Sequence, residues 1–318
     1  EMTYTIRAGG LLGIRRVLRE FGADPKHVFA LADIPIDVLE TPDETICYAK
    51  FLNLLNISAR ITGREDFGIL LSKKQGFRSL GAIGFAMKEA PDVRTAIQDL
   101  CAFLQVHING TVTTLQEEDG LAIWSYETIM PNAPDSRQKS ALAIAIGVGL
   151  MRRLVSPTWA PEFVYQNYRT PKNPAPFKRF FKCPISFNQE TNAMMFDAKL
   201  LDQKIETAND LLYKILRDYI TQKSSSQGNE NDNFTGLVRS KIIDDLQKGT
   251  CTIDSVAQSV SMKRRTFQRR LSDLGMNFSE LLEETRMDMA KRYLNLSDIS
   301  LTQMSEMLVL KMGIRLYP

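Results

Sequence analysis

Lys263, Arg264, Arg265, Arg269 and Arg270 fall within eight consecutive positions of the segment SMKRRTFQRRLSDLG, residues 261–275, with Gln268 among them and no acidic residue in the eight. A guanidinium can donate a bidentate pair to O6 and N7 of guanine, and a carboxamide can pair with N6 and N7 of adenine. A helix presenting both types can therefore tell base pairs apart from the major groove. At 100° per residue, Phe267, Leu271 and Leu274 lie within about 60° of one another, which predicts a buried stripe; Arg264, Arg265, Gln268 and Arg269 take a separate arc of roughly 140°. Lys263 and Arg270 fall off that arc and suit backbone phosphates better. Taken alone, the same segment is equally compatible with a solvated amphipathic helix, which most charge runs are.

The elements around the cluster favour the first reading. TIDSVAQSV, just upstream, carries Ile253, Val256, Ala257 and Val260 on one side behind a Thr252 cap, and Ser261 to Lys263 make a three-residue turn. Two short helices, a tight turn and a second helix exposing Arg and Gln make a helix-turn-helix. LVRSKIIDDLQKG ends on Gly249, NFSELLEETRMDMAKRYL opens with Asn277 and Glu280 at capping-box spacing, and SLTQMSEML opens with Ser300 and Gln303 in the same relation. Residues 235–318 thus read as an all-α domain of about five short helices. They hold 13 Lys plus Arg against 10 Asp plus Glu, so the formal charge of +3 of the whole 318-residue chain lies in this last part.

Ahead of it, TQKSSSQGNENDNFTG replaces apolar periodicity with Ser, Gln, Asn and Gly, and residues 221–234 are expected to be a linker. Residues 1–220 form the larger domain. Its front, to about Leu104, reads mainly as helices. INGTVTTLQEEDGLAIWSYETI then offers a hairpin turning at Glu118-Asp119-Gly120. A core helix over about 136–155, a strand over 163–168, a short helix near 177–181, the strand-like ISF and AMMF, and a helix over 208–220 complete it. The fold class is α+β: a mixed α/β N-terminal domain with a helical front end, and an all-α C-terminal domain.

DSVAQSVSMKRRTFQRRLSDLGMNFSELLEETRMDMAKRYLNLSDISLTQMSEML resembles the first three quarters of the DNA-binding domain of AraC/XylS-type transcription regulators. Upstream, LLGIRRVLREFGADPKHVFALADIP, SLGAIGFAMKEAPDVRTAIQDL and FKRFFKCPISFNQETNAMMFDAKLLDQKI are similar to the arabinose-binding-like sensor domain that precedes that reader in one branch of the family. The resemblance covers nearly all of residues 6–308. It implies a cytoplasmic, usually homodimeric regulator that responds to a small effector through residues 1–220 and binds promoter DNA through two helix-turn-helix units bridged by one long helix. Carried over by position, the base-reading residues of the first unit are Arg265, Gln268 and Arg269.

Two departures stand out. Lys263 occupies the place of a capping Ser, and Ser261 that of a turn Gly, at a cost of about 1 kcal/mol of capping. After LTQMSEML the chain reads VLKMGIRLYP where the family continues into a second reading helix, so the second unit is expected to hold its first helix without its reader. The alternative function that follows is a shortened regulator with impaired DNA binding, acting as an effector-binding or dimerising protein.

Other chemistries have little support. No P-loop, GxSxG, HExxH or dinucleotide fingerprint occurs, so no enzyme is expected. Cys47, Cys101, Cys183 and Cys251 stand singly and are expected as buried thiols. His27 and His107 lack partners at ligand spacing, so neither a metal nor another cofactor is expected. ALAIAIGVGLM (141–151) is too short to span a bilayer and reads as a core helix. The start, EMTYTIRAGG, lacks the basic and apolar regions of a signal peptide. Trp124, Tyr126, Tyr165 and Tyr168 are candidates either for an effector pocket or for plain core. Arg137 and Lys139 near a helix start would meet an anionic ligand or remain solvated. The effector itself has no signature.

Overall fold

Glycines, prolines and capping aspartates cut the first hundred residues into short helices. The computed structural model describes residues 4–227, 230–247, 251–260 and 262–295. β1 (Thr5–Arg7) pairs antiparallel with β2 (Thr45–Cys47), Ile6 opposite Ile46. Around this ribbon lie α1 (Ile14–Glu20), α2 (Pro25–Leu31), α3 (Tyr48–Thr62), α4 (Phe67–Ser72), α5 (Ala82–Glu89) and α6 (Val93–Phe103). The Asp24 carboxylate accepts from the Lys26 N–H at the start of α2, and that of Asp92 from the Thr95 N–H at the start of α6, which satisfies donors the helices leave open.

β3 (Thr111–Glu118) and β4 (Leu121–Thr128) form the expected hairpin. Asp119 and Gly120 both have positive φ, 50° and 81°, as a primed two-residue turn requires. After α7 (Arg137–Leu154), β5 (Phe163–Tyr165), α8 (Ala175–Phe181), β6 (Ile185–Ser186) and β7 (Asn192–Asp197) complete a five-stranded sheet of order β3-β4-β7-β5-β6. Every pairing is antiparallel except β5 with β6. The strand expected over 163–168 ends at Tyr165. α7 packs on β4 and β7 and against α3 and α4, so its apolar run is buried core, as its composition predicts. α9 (Asp210–Gln227) lies on α5 and α6; Tyr213 Oη donates to Asp99 Oδ2 at 2.5 Å, and the Arg217 guanidinium pairs with the same carboxylate.

The chain divides into two compact units, Glu1–Gln227 and Gly228–Pro318. In the second, α10 (Glu230–Gln247), α11 (Ile253–Ser259), α12 (Arg264–Asp273) and α13 (Phe278–Asn295) surround a core built from Phe234, Val238, Ile242, Leu246, Val256, Ala257, Phe267, Leu271 and Leu281. Both units together give the α+β class read from the sequence.

The boundary between the two units, at Gln227 and Gly228, falls within the segment 221–234 expected as a linker, but the segment is not irregular. α9 runs through 221–227 and α10 begins at Glu230, so the described part of the segment is helical. Its Lys, Gln and Glu residues are good helix formers, it has no Pro and a single Gly, Gly228, and Phe234 is buried in the second core. The cysteines also differ from expectation: Cys47 is exposed and the other three are half-buried. The segment SLTQMSEML and the tail VLKMGIRLYP, on which the incomplete second reader was inferred, lie outside the described residues.

Candidate nucleic-acid interface and candidate effector cavity

α11 and α12 are held in a fixed relation by local chemistry. Thr252 and Ser255 exchange side-chain and backbone hydrogen bonds in a capping box, each at 3.0 Å. The Met262 N–H donates back to the Ala257 carbonyl at 2.9 Å across the turn. Phe267 and Leu271 are fully buried, and the Phe267 ring meets Phe234 and Phe278 edge-on at 5.8 and 6.1 Å. With that face of α12 packed, the opposite one is presented outward. Lys263 is the N-cap residue and its side chain makes no capping bond, consistent with the missing hydroxyl noted in the sequence.

The six basic and amide residues differ in their environments. Arg265, Gln268 and Arg269 are exposed and make no hydrogen bond or ion pair with any described residue. Arg264 is exposed but engaged: its Nη1 lies 3.0 Å from Asp254 Oδ2 on α11. Lys263 is exposed at the start of the helix, whereas Arg270 is half-buried, its guanidinium 4.4 Å from the centre of the Phe234 ring. Arg270, which the sequence reading assigns to a phosphate, thus has its cation over the edge of the core while staying partly exposed. Ser272, not singled out from the sequence, is exposed and falls at the middle of the arc set by Arg265, Gln268 and Arg269, seven residues and about two turns beyond Arg265.

The first unit contains a cavity beneath α7, lined by β1, α3, α6 and β4. Trp124, Tyr126 and Lys139 line it; Tyr165 lines neither cavity described here, and Tyr168 with Arg137 faces a separate open cleft, where Arg137 is paired with Asp135 at 2.6 Å. Gly147 sits under the Trp124 ring, whose edge a Cβ would approach to 2.8 Å, so only glycine lets α7 lie this close to β4. Lys139 is 6% exposed rather than solvated. Its ammonium lies 4.8 Å from the centre of the Tyr126 ring and makes no ion pair with any described residue. Burial pulls this amine down to about 7 from its ordinary alkaline range. His107, also buried, is held well below its usual value, first by burial and then by the cations of Arg7 and Lys139.

A cavity-bearing α+β unit and a helix-turn-helix unit in one chain define a ligand-responsive transcription regulator. The chain belongs to the AraC family: residues 22–205 match the arabinose-binding domain of AraC transcription regulators. Over its length it is similar to the HTH-type transcriptional regulator VirS of Mycobacterium tuberculosis, with 26% identity over 97% of this chain and 90% of the relative. It is also similar to the ornithine utilization regulator of Pseudomonas aeruginosa, with 19% identity over 92% of this chain and 86% of that one. The crystal structure of the transcriptional regulator CdpR from Pseudomonas aeruginosa aligns over 92% of this chain and 89% of its own, with 17% identity and a TM-score of 0.44. Among the described residues no helix is long and apolar enough to cross a membrane, and no His, Cys, Asp and Glu side chains cluster as a metal site.

Proposed function

We propose that the chain is a cytoplasmic, homodimeric regulator without catalytic activity that binds promoter DNA through α12 and a small effector in the cavity of its first unit. Residues 1–220 act as the effector and dimerisation domain, and residues from 235 onward as the DNA reader. The carrying observation is the set Arg265, Gln268 and Arg269, free and exposed on a helix whose other face is locked in a core. Arg265 and Arg269 supply bidentate donors for guanine and Gln268 a donor–acceptor pair for adenine. Ser272 extends the same face. Lys263 meets the phosphate backbone, Arg264 braces the motif through Asp254, and Arg270 acts from the core edge with its guanidinium still partly open.

Selection from a randomised duplex library, followed by titration of the recovered site, tests this. Gln268→Ala or Arg269→Ala should each cost about 1–3 kcal/mol and relax preference at one base pair. Lys263→Ala should weaken binding to every sequence alike and flatten its salt dependence by about one unit of slope. Recovery of no preferred sequence, or identical behaviour of the three variants, sinks the assignment.

The dimer has its own support. Along α9, Leu211, Ile215 and Tyr219 are exposed at i, i+4 and i+8, while Tyr213 and Arg217 hold the other side to Asp99. Sedimentation of Leu211→Asp with Ile215→Asp should show monomers where the parent chain sediments as a dimer. An unchanged dimer would rule this face out.

A further inference from the structure

The cavity of the first unit holds one unpaired cation among apolar walls. Lys139 is buried, and among the described residues no Asp or Glu lines the space with it; the walls are largely apolar, among them Leu100, Leu104, Leu142 and Leu150. Arg7, also buried, is taken up by Asp43 at 2.6 Å and places its Nη1 3.3 Å from His107 Nδ1. An arginine N–H can only donate, so His107 Nδ1 accepts, and the neutral imidazole carries its proton on Nε2 as a further donor. Gln75, fixed by its amide donating to the carbonyls of Gly10 and Leu12, has no partner for its Oε1. A buried ammonium without a carboxylate is costly to the fold, and a ligand that brings the missing negative charge recovers that cost.

Resting on the reading of this unit as the effector sensor, we infer that the cavity binds a small organic monocarboxylate, its carboxylate received by the Lys139 ammonium and its apolar body by the leucine-rich walls. The cavity, about 40 Å³, has room for only a few water-sized groups, which restricts the acid to one about the size of acetate. Free amino acids are disfavoured because their ammonium finds no acidic partner among the described residues of the wall, and sugars because the space is too small for a sugar ring.

The test uses the full chain, titrated by calorimetry with sodium formate and sodium acetate, each against its uncharged amide, with ornithine and sodium chloride as further comparisons. Each carboxylate should bind at least about tenfold more tightly than its amide, since the amide leaves the cation unpaired. Lys139→Met should abolish that preference. A second readout needs no variant. The titratable groups sharing the cavity with the ammonium are His107 after α6 and Tyr126 from β4, with Arg7 of β1 beside the imidazole and Tyr48 of α3 beside the Tyr126 hydroxyl; burial keeps Tyr126 protonated and His107 neutral at mildly alkaline pH. Carboxylate affinity should therefore fall by up to about tenfold per pH unit above about 7, as the free amine loses its proton, while amide affinity stays flat.

Equal affinity for carboxylate and amide, equal response to chloride or ornithine, or a preference that survives Lys139→Met each overturns the inference. So does the absence of any carboxylate binding. If the same preparation still selects a DNA sequence, the regulator reading stands without it; carboxylate binding that depends on Lys139 in a chain that selects no DNA supports the inference and removes the other reading.

Discussion

Phe267→Ala is expected to abolish sequence-specific DNA binding while leaving the first unit folded. The ring is fully buried between Phe234 and Phe278, in a core of nine buried residues among those described in the second unit. Truncating a buried Phe costs about 3–5 kcal/mol through lost transfer energy and the cavity left behind. A small domain is stable by only about 5–15 kcal/mol, so the variant sits at or beyond the margin. Loss of the ring also removes the surface that orients Phe234, over which the Arg270 cation rests. Hydrogen exchange should show protection lost across α10 to α13 and kept in α1 to α9, with DNA selectivity gone. Arg265→Ala is the control: it is exposed and unpaired, so it should weaken reading without altering exchange. A Phe267→Ala protein that keeps full affinity would show that α12 does not depend on this core.

How much could be read from the sequence depended on whether the deciding contacts were local. The buried and exposed faces of α12 follow from 3.6-residue periodicity, and Phe267, Leu271, Arg265, Gln268 and Arg269 lie where that geometry puts them. Arg270 is also near the buried stripe on the same wheel, about 60° from Phe267, which accounts for its half-buried position. Its destination, Phe234, lies more than thirty residues upstream on another helix, which the wheel cannot show. Polar composition suggested a linker at 221–234, but composition without Pro does not prevent a helix, and Phe234 found a core to anchor it. Lys139 was the least accessible to sequence reasoning. A lysine in the first turn of a helix is ordinarily solvated; this one is enclosed because β4 crosses α7 where Gly147 admits the Trp124 ring, and because α3 and α6 close the sides. Those are contacts between residues up to about a hundred positions apart, and no local pattern encodes them.

The enclosure of Lys139 leads to the second large expected effect: Lys139→Met should make the first unit more stable in the absence of ligand, and the gain should shrink as the pH rises. In the folded chain the amine is held near 7, against about 10.4 when unfolded. Between those values the unfolded chain binds the extra proton and the folded one does not, so the stability of the parent rises with pH at up to about 1.4 kcal/mol per unit and is lowest at and below about pH 7. Methionine fills a similar volume with nothing to desolvate, and forgoes only the attraction of the cation to the Tyr126 ring, about 0.5–2 kcal/mol. The net gain is expected to be on the order of 2–4 kcal/mol near neutral pH, falling toward zero or below as the pH approaches 10. Other groups titrate in the alkaline range, Cys101 and Cys183 being pushed up to about 11 by burial, but they are common to both proteins and drop out of the difference. Both tryptophans, Trp124 and Trp159, lie in the first unit, so urea unfolding followed by tryptophan fluorescence reports on that unit alone. A gain that is the same at pH 7 and pH 9.5 would mean that the ammonium is not paying for its burial, and a loss at both would mean that Lys139 is a structural contact rather than a cation held for a partner.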